Sequence, residues 1–427
     1  PFGQRDSRRP AQIDTAQPVY HSDRQSDYQP KTRPGIKRTI LIITACLASF
    51  GPLRAQESID EVLLLVEQAS KELQAQRKLT EAQKLEAKTG NSLENPSVEF
   101  ENLWRRPVPG NNSELTVTQP FDFPGAYAAR NKIAKLKASL YDSEGAEFRQ
   151  QLLLQAKELC IEIIYLRQQQ ILLGERLSNA QRLSSVYKQK LETGAANILE
   201  TNKISVELIA AQTAANLNAT TLKARLQQLS NLAGGEPVNF TATDYPAESE
   251  LPEYATLETL YMEQSPELQR LADEHSVNLK TITLNKALAL PKFEVGYRHN
   301  YGLEGRFNGL LVGMSIPMFE NKNKVKAARA QSYFSDTKLQ SAKLNSVTIL
   351  KQLYEQAQTL RQSAESLQAV LRNQNNIELL NKALDAGQIS VIEYFTEVST
   401  LYQSRETLLQ LEKDYRTATA QIYRYEL

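Results

Sequence analysis

Two cysteines, three histidines, three methionines and one tryptophan are all that the 427 residues hold of these types. Ligands this sparse, with no pair at a ligand-like spacing, exclude a metal-rich centre and give no reason to expect a metal site. His21, His275 and His299 stand far apart, none with a sequence-local partner that would suggest a triad, and no glycine-rich loop is present to cradle a phosphate. No enzyme chemistry and no cofactor is therefore expected. His299 falls near a strand end, where it either lines a barrel or sits on an ordinary surface. Charge of one sign is also missing. Fifty basic residues face 49 acidic ones, spread along the chain for a net charge of +1, so the concentrated basic footprint of a nucleic-acid binder is absent. With 41% hydrophobic and 23% charged residues, the chain is nevertheless ordinary folding material.

A long apolar run is lacking as well. The strongest, Thr39 to Phe50, follows Lys37-Arg38 and is too short for a spanning helix, which needs about 20 residues. A basic start followed by a short apolar core is an export signal, placed at 37–55 with cleavage after Ala55. Ile43-Thr44-Ala45-Cys46 resembles a lipobox and offers the alternative that Cys46 is acylated at a mature N-terminus. Cleavage after Ala55 would leave Cys160 as the remaining thiol, so no internal disulfide could form. Residues 1–36 are polar and rich in Arg, Gln, Asp and Pro, and read as a leader or disordered extension.

What the chain does have is itself, twice. Asn95-Pro96-Ser97-Val98-Glu99-Phe100 is answered by Leu290-Pro291-Lys292-Phe293-Glu294-Val295, Gln119-Pro120-Phe121 by Ile316-Pro317-Met318, and Leu191-Glu192-Thr193-Gly194 by Leu384-Asp385-Ala386-Gly387. Pro96 and Pro291 stand 195 residues apart, Pro120 and Pro317 197, Gly194 and Gly387 193. Constant order and near-constant spacing are the mark of a duplicated unit. The two repeats are set at 56–250 and 251–427, and each reads as a helix, two short strands and two long helices.

The strands are expected at about Pro96 to Trp104 with Ser113 to Phe121, a hairpin over 96–121, and about Pro291 to Tyr301 with Phe307 to Pro317, a hairpin over 291–317. Val98 and Phe100 alternate with Glu99 and Glu101, and Phe293, Val295 and Tyr297 with Glu294 and Arg298. Such alternation fits the half-solvated sheet of a soluble protein, or a membrane barrel wall that is apolar toward lipid and charged toward a lumen.

From Leu152 through Ala156, Leu159, Ile163, Leu166, Gln170, Leu173, Leu177, Ala180, Ser184 and Tyr187 to Leu191 the steps are 4, 3, 4, 3 without a break, a heptad seam on a helix running from about Arg130. The second half repeats the seam at Leu353, Ala357, Leu360, Ala364, Leu367 and Leu371, then slips phase to Ile377, Leu380 and Leu384. Small and polar seam residues suit helices packed side by side around a hollow tube. Gly194 and Gly387 end the long helices at equivalent points, where positive φ is needed. Four strands cannot close a barrel on their own, since the smallest membrane barrels have about 8. Three copies would supply twelve.

This combination resembles the TolC outer-membrane efflux family over about Ser58 to Leu427. The run Asn95 to Glu101, then Glu114-Leu115-Thr116-Val117-Thr118-Gln119-Pro120-Phe121-Asp122-Phe123-Pro124-Gly125 and Arg130, is further similar to its heavy-metal (CzcC-like) branch. The resemblance implies a mainly α fold of duplicated coiled-coil hairpins, forming an α-barrel in the periplasm, with four strands per chain in a trimeric 12-stranded β-barrel. It also implies a homotrimer in outer-membrane lipid, working with a periplasmic adaptor and an inner-membrane RND-type pump. The function implied is that of a passive conduit exporting small molecules or metal cations. An acidic ring at the periplasmic mouth falls, by family position, on Glu393, six residues past Gly387, and its counterpart in the first half is Glu200. A second acid expected three residues later is Thr396. Glu200 and Glu393 read equally as first-turn charges favoured by a helix dipole. The tips around Gly194 and Gly387 are either the adaptor-docking surface or plain turns. A periplasmic coiled-coil adaptor or structural protein without a pore is the rival function.

Overall fold

The structure is a computed structural model and describes residues 58–104, 110–247, 250–302, 305–372 and 376–427. The leader, the export signal and Cys46 lie outside the described residues.

Each half opens with a broken helix. The first holds α1 (Ile59–Ala69) and α2 (Lys71–Thr89), the second α5 (Tyr254–Gln264) and α6 (Pro266–Ala287). The sequence reading gave one helix in each place. Ser70 and Ser265 make the break: both are buried, and each side-chain oxygen accepts from the backbone N–H three residues on, Leu73 at 3.4 Å and Leu268 at 3.5 Å. An N-cap of this kind restarts a helix in mid-pattern without disturbing its apolar periodicity, which is why periodicity alone did not reveal it.

The strands follow as β1 (Ser97–Trp104), β2 (Asn111–Phe121), β3 (Lys292–Gly302) and β4 (Gly305–Ser315). They form one antiparallel sheet in the order β1-β2-β3-β4, so β2 and β3 join the two halves and the outer edges of β1 and β4 have no partner within the described residues. After β2 comes α3 (Pro124–Glu192), 69 residues or about 100 Å at 1.5 Å per residue. It starts earlier than the heptad seam indicates because Pro124 occupies its first turn, where a missing N–H costs nothing. Then come α4 (Ile198–Leu232), α7 (Lys324–Arg372), α8 (Asn376–Asp385) and α9 (Val391–Ile422). Residues 373–375, between α7 and α8, lie outside the described residues.

Contacts give the helical layer its order. Next to the sheet, α2, α3, α6 and α7 pack in sequence; farther away the order is α4, α3, α9 and α7. Interior helices bury two sides and flanking helices one. On α3 the seam residues Leu152, Ala156, Leu159, Ile163, Leu166, Leu173, Ala180 and Tyr187 are buried, and so are Leu153, Cys160, Ile164 and Leu183 on its other side. Gln170 is an exposed interruption of that seam. On the flanking α7, the seam residues Leu353, Leu360, Leu367 and Leu371 are only half-buried, while Tyr333, Phe334 and Leu344 are exposed.

Candidate functional site

Two regions carry chemistry beyond packing: the sheet and the tips of the helical hairpins.

The register sorts the sheet into two faces, because residues directly opposite one another across antiparallel strands share a face. Val98 pairs with Val117, Val117 with Tyr297 and Tyr297 with Leu310; the rows through Phe100, Leu115 and His299 and through Phe121, Phe293 and Met314 fall on the same side. That face is apolar and bare: Leu310 is 89% exposed, Trp104 and Val312 80%. The other face carries Glu99, Glu101, Glu114, Thr116, Thr118 and Arg298, interleaved with Gly296, Gly309 and Gly313. Its polar groups bond to each other. Arg298 Nε lies 3.0 Å from a Glu114 carboxylate oxygen, Asn300 donates to Glu114 at 3.3 Å, and the Ser97 and Thr118 hydroxyls meet at 2.6 Å.

A soluble half-solvated sheet covers its apolar face and wets its polar one. Here the large apolar side chains are open, while the polar face holds the buried Thr116 and Thr118 beside the exposed Glu99, Glu101 and Arg298. A surface of this composition is stable against lipid, and three of the strands have the 11 residues that a tilted membrane strand needs. Among the described residues no helix is long and apolar enough to cross a membrane. His299 lies on the apolar face near the turn end, with Nδ1 2.6 Å from Asn308 Oδ1. His275 sits in α6 with Nδ1 3.1 Å from the Ser335 hydroxyl. No group of three or more metal-ligating side chains occurs among the described residues.

At the far end the two hairpin tips share one geometry. Gly194 and Gly387 have φ of +70° and +72°, the left-handed region where glycine carries no Cβ penalty. The next N–H reaches back five residues in each case, Ala195 to Lys190 O at 2.7 Å and Gln388 to Ala383 O at 2.8 Å, the bond of a Schellman stop. The following helix then begins with a capping box. Asn197 Oδ1 accepts from Glu200 N at 3.0 Å while a Glu200 carboxylate oxygen accepts from Asn197 N at 3.0 Å; Ser390 and Glu393 make the same exchange at 3.2 and 2.8 Å. The six-residue spacing from glycine to glutamate is therefore the spacing of a helix stop followed by a helix start. Backbone and side-chain hydrogen bonds from Ser390 hold the exposed Glu393 carboxyl below the usual carboxylate range, so it caps α9 and carries its charge at once. Thr396 spends its hydroxyl on the Ile392 carbonyl at 2.9 Å.

The tips pack on each other through Leu183, Tyr187 and Ile204 of the first hairpin and Leu384, Val391, Tyr394 and Val398 of the second. A polar chain runs through this core. Asn179 Nδ2 donates to the Tyr394 hydroxyl at 2.6 Å, the hydroxyl donates to Asn381 Oδ1 at 2.7 Å, and Arg182 donates to the same oxygen at 2.6 Å and to Asp385 at 3.2 Å. Burial pushes the Tyr394 phenol up, against the Asn179 bond and the nearby Arg182 charge. Higher on the same seam, Arg405 reaches Glu175 at 3.1 Å, Gln169 reaches Glu406 at 3.0 Å, and the Arg176 guanidinium lies 5.9 Å from the Tyr402 ring centroid. The sequence reading missed Asn179, Arg182, Asn381 and Tyr394: the bonds between the hairpins span 199 to 215 residues, and only Tyr394 to Asn381 is nearer, at 13.

Residues 259–425 match the family model of the outer membrane efflux protein. No curated protein is matched by the whole sequence. Among solved structures, CusC, described for conformational changes accompanying folding and transmembrane channel formation, is similar with a TM-score of 0.73 over 86% of this chain and 91% of its own, at 13% identity. A membrane protein from Pseudomonas aeruginosa reaches 0.74 over 86% and 89% at 12% identity, and the Campylobacter jejuni CmeC outer membrane channel 0.71 over 86% and 85% at 13%. At such identities the likeness is one of fold: duplicated long helices ending in a four-stranded sheet. The second half thus resembles the outer membrane efflux protein family, and the shared fold carries the likeness in architecture along most of the chain.

Proposed function

We propose that the chain is one protomer of a trimeric efflux duct, its strands in the outer membrane and its helices in the periplasm, through which small molecules or metal cations pass without any bond being made or broken. The bare apolar face of the sheet carries this reading, because it is the surface a lipid bilayer would cover. The unpaired edges of β1 and β4, and the exposed apolar residues of the two flanking helices, Val206 and Ile209 on α4 and Tyr333 and Phe334 on α7, lie at opposite ends of the same layers. A protomer with two different sticky flanks closes as a ring. Three copies give twelve strands, enough for a barrel with an aqueous interior.

The mouth belongs to the tips. Three symmetry copies of Glu200 and Glu393 would place a negative potential at the constriction, favouring cations. The Asn179–Tyr394–Asn381–Arg182 chain ties one hairpin to the other, so widening the mouth by moving the hairpins apart requires these bonds to break. Ile198, Leu199 and Ile392 are exposed beside the tip glycines, a fit surface for the periplasmic adaptor that links the duct to an inner-membrane RND-type pump, which supplies the energy. The heavy-metal branch rests on the similarity of the 95–101 and 114–130 segments.

Single-channel recording of the purified protein in a planar bilayer, wild type beside Glu393→Gln and Glu200→Gln, tests the reading. Cation-selective pores whose selectivity falls in the variants support duct and acidic mouth together. Pores indifferent to both changes keep the duct and remove the mouth assignment. A membrane-inserted trimer that conducts nothing leaves the rival, a periplasmic coiled-coil docking or structural protein.

A further inference from the structure

The segment between β4 and α7 has no counterpart in its use by the first repeat. In the first repeat, Phe121-Asp122-Phe123 turns inward: Asp122 is buried, 2.5 Å from Arg130 Nη2 and 3.8 Å from Lys292 Nζ. In the second repeat the corresponding residues are Met318-Phe319-Glu320, and they turn outward. Met318 is 75% exposed and Phe319 84%, with Ile316 exposed before them. The turn is nonetheless built. Met318 N donates to Ile316 O at 2.9 Å, Lys322 N to Phe319 O at 3.2 Å, and Asn321 Nδ2 to the Leu288 carbonyl at 2.5 Å, tying it to the end of α6.

Two features point to what covers it. Ile316 is the next residue in the alternation Leu310, Val312, Met314, so the apolar face of the sheet runs into this turn at the helical end of the strands. Immediately beyond it stand Lys322, Lys324, Lys326 and Arg329, all exposed, against the single carboxylate of Glu320, 3.9 Å from Lys324. The first turn of α7 holds no acidic residue, although a helix start favours acids and disfavours lysines. The lysines therefore do not serve the helix. An apolar wedge followed by a row of cations, at the depth where a membrane barrel meets the periplasm, complements acyl chains above and phosphate below.

We infer that the Ile316–Phe319 turn and Lys322, Lys324 and Lys326 form a binding site for anionic phospholipid headgroups of the inner leaflet of the outer membrane. This rests on the reading of the sheet as a membrane wall. Phe319→Trp in a Trp104→Phe background gives a single fluorophore in the turn of the full-length trimer. The variant is reconstituted into vesicles containing a small fraction of brominated phosphatidylglycerol or, separately, brominated phosphatidylcholine. Quenching at least twofold stronger by the phosphatidylglycerol is expected, falling to parity when Lys322→Gln, Lys324→Gln and Lys326→Gln are added. Equal quenching by the two lipids overturns the site and leaves a plain apolar anchor. No quenching by either overturns it in favour of burial against a neighbouring copy. Pore formation by the same preparations separates these failures from failure of the duct, since a chain that neither inserts nor conducts overturns the membrane reading and the lipid site with it.

Discussion

Asn179 and Tyr394 stand 215 residues apart in the chain and 2.6 Å apart in space, the amide of one donating to the phenol of the other. Tyr394 is fully buried, and its hydroxyl passes the connection on to Asn381 and so to Arg182. Tyr394→Phe keeps the ring and removes both bonds, taking the acceptor from the Asn179 amide while Asn381 Oδ1 keeps the bond from Arg182. The expected loss is about 1–3 kcal/mol of local stability, confined to the tips. If the chain holds the hairpins together, single-channel conductance rises in the variant while the melting of the whole protein changes little. Unchanged conductance with lowered melting would reduce the chain to a packing detail.

Glu200 and Glu393 separate charge from capping, because glutamine serves at the third position of a capping box as glutamate does. Glu393→Gln should leave the start of α9 intact and lower cation selectivity, whereas Glu393→Ala should lose selectivity and fray the helix start. Protease nicking near residues 388–395 distinguishes the two. The pH dependence has a definite sign. The Glu393 carboxyl is depressed in the folded chain by hydrogen bonds from Ser390, so its contribution to the tip is complete above the ordinary carboxylate range and is lost as pH falls through the lower folded value. Nicking of wild type should rise on acidification below that range, and Glu393→Gln should be flat.

Much of this was legible from the residues. The duplication, both hairpins, the helix-ending glycines and the alternation of the strands are local patterns, and local patterns survive in a sequence. The serine breaks at Ser70 and Ser265 were hidden because a cap restarts a helix without changing its apolar period. The tip chain was hidden for the opposite reason: Asn179, Arg182, Asn381 and Tyr394 are unremarkable polar residues until α3, α8 and α9 are brought side by side. The glycine-to-glutamate spacing was visible, but its capping geometry explains it without reference to any pore, so charge at the mouth is a matter for the selectivity measurement.

The two faces of the sheet make opposite demands on neighbouring residues of one strand. Leu310 lies on the apolar face and Gly309 on the polar one, where an added Cβ meets nothing within 4 Å. Leu310→Lys should cost about 2–4 kcal/mol in a bilayer, the penalty for a lipid-facing cation near mid-depth, and reduce the fraction of folded, membrane-inserted protein. Gly309→Lys should fold and insert normally and shift ion selectivity toward anions. Equal tolerance of both, measured by gel-shift folding in vesicles, would contradict the membrane face.

Cys160 is a built-in reporter of whether α3 stays packed. Its side chain is fully buried in the core cluster that also holds Val62 of α1 and Leu229 of α4, and burial pushes its pKa up to about 12. Thiolate is the reactive form, so near pH 8 both access and ionisation oppose modification. A maleimide or disulfide reagent should leave the folded chain unlabelled for hours and label it promptly in denaturant. Cysteines introduced at exposed tip positions such as Leu199 or Ile392 should then react selectively with Cys160 left in place. Conversely, Cys160 becoming reactive in Tyr394→Phe would show that loss of the tip chain loosens α3 along its length, not only at its end, and would transfer the effect on conductance from the mouth to the whole helical layer.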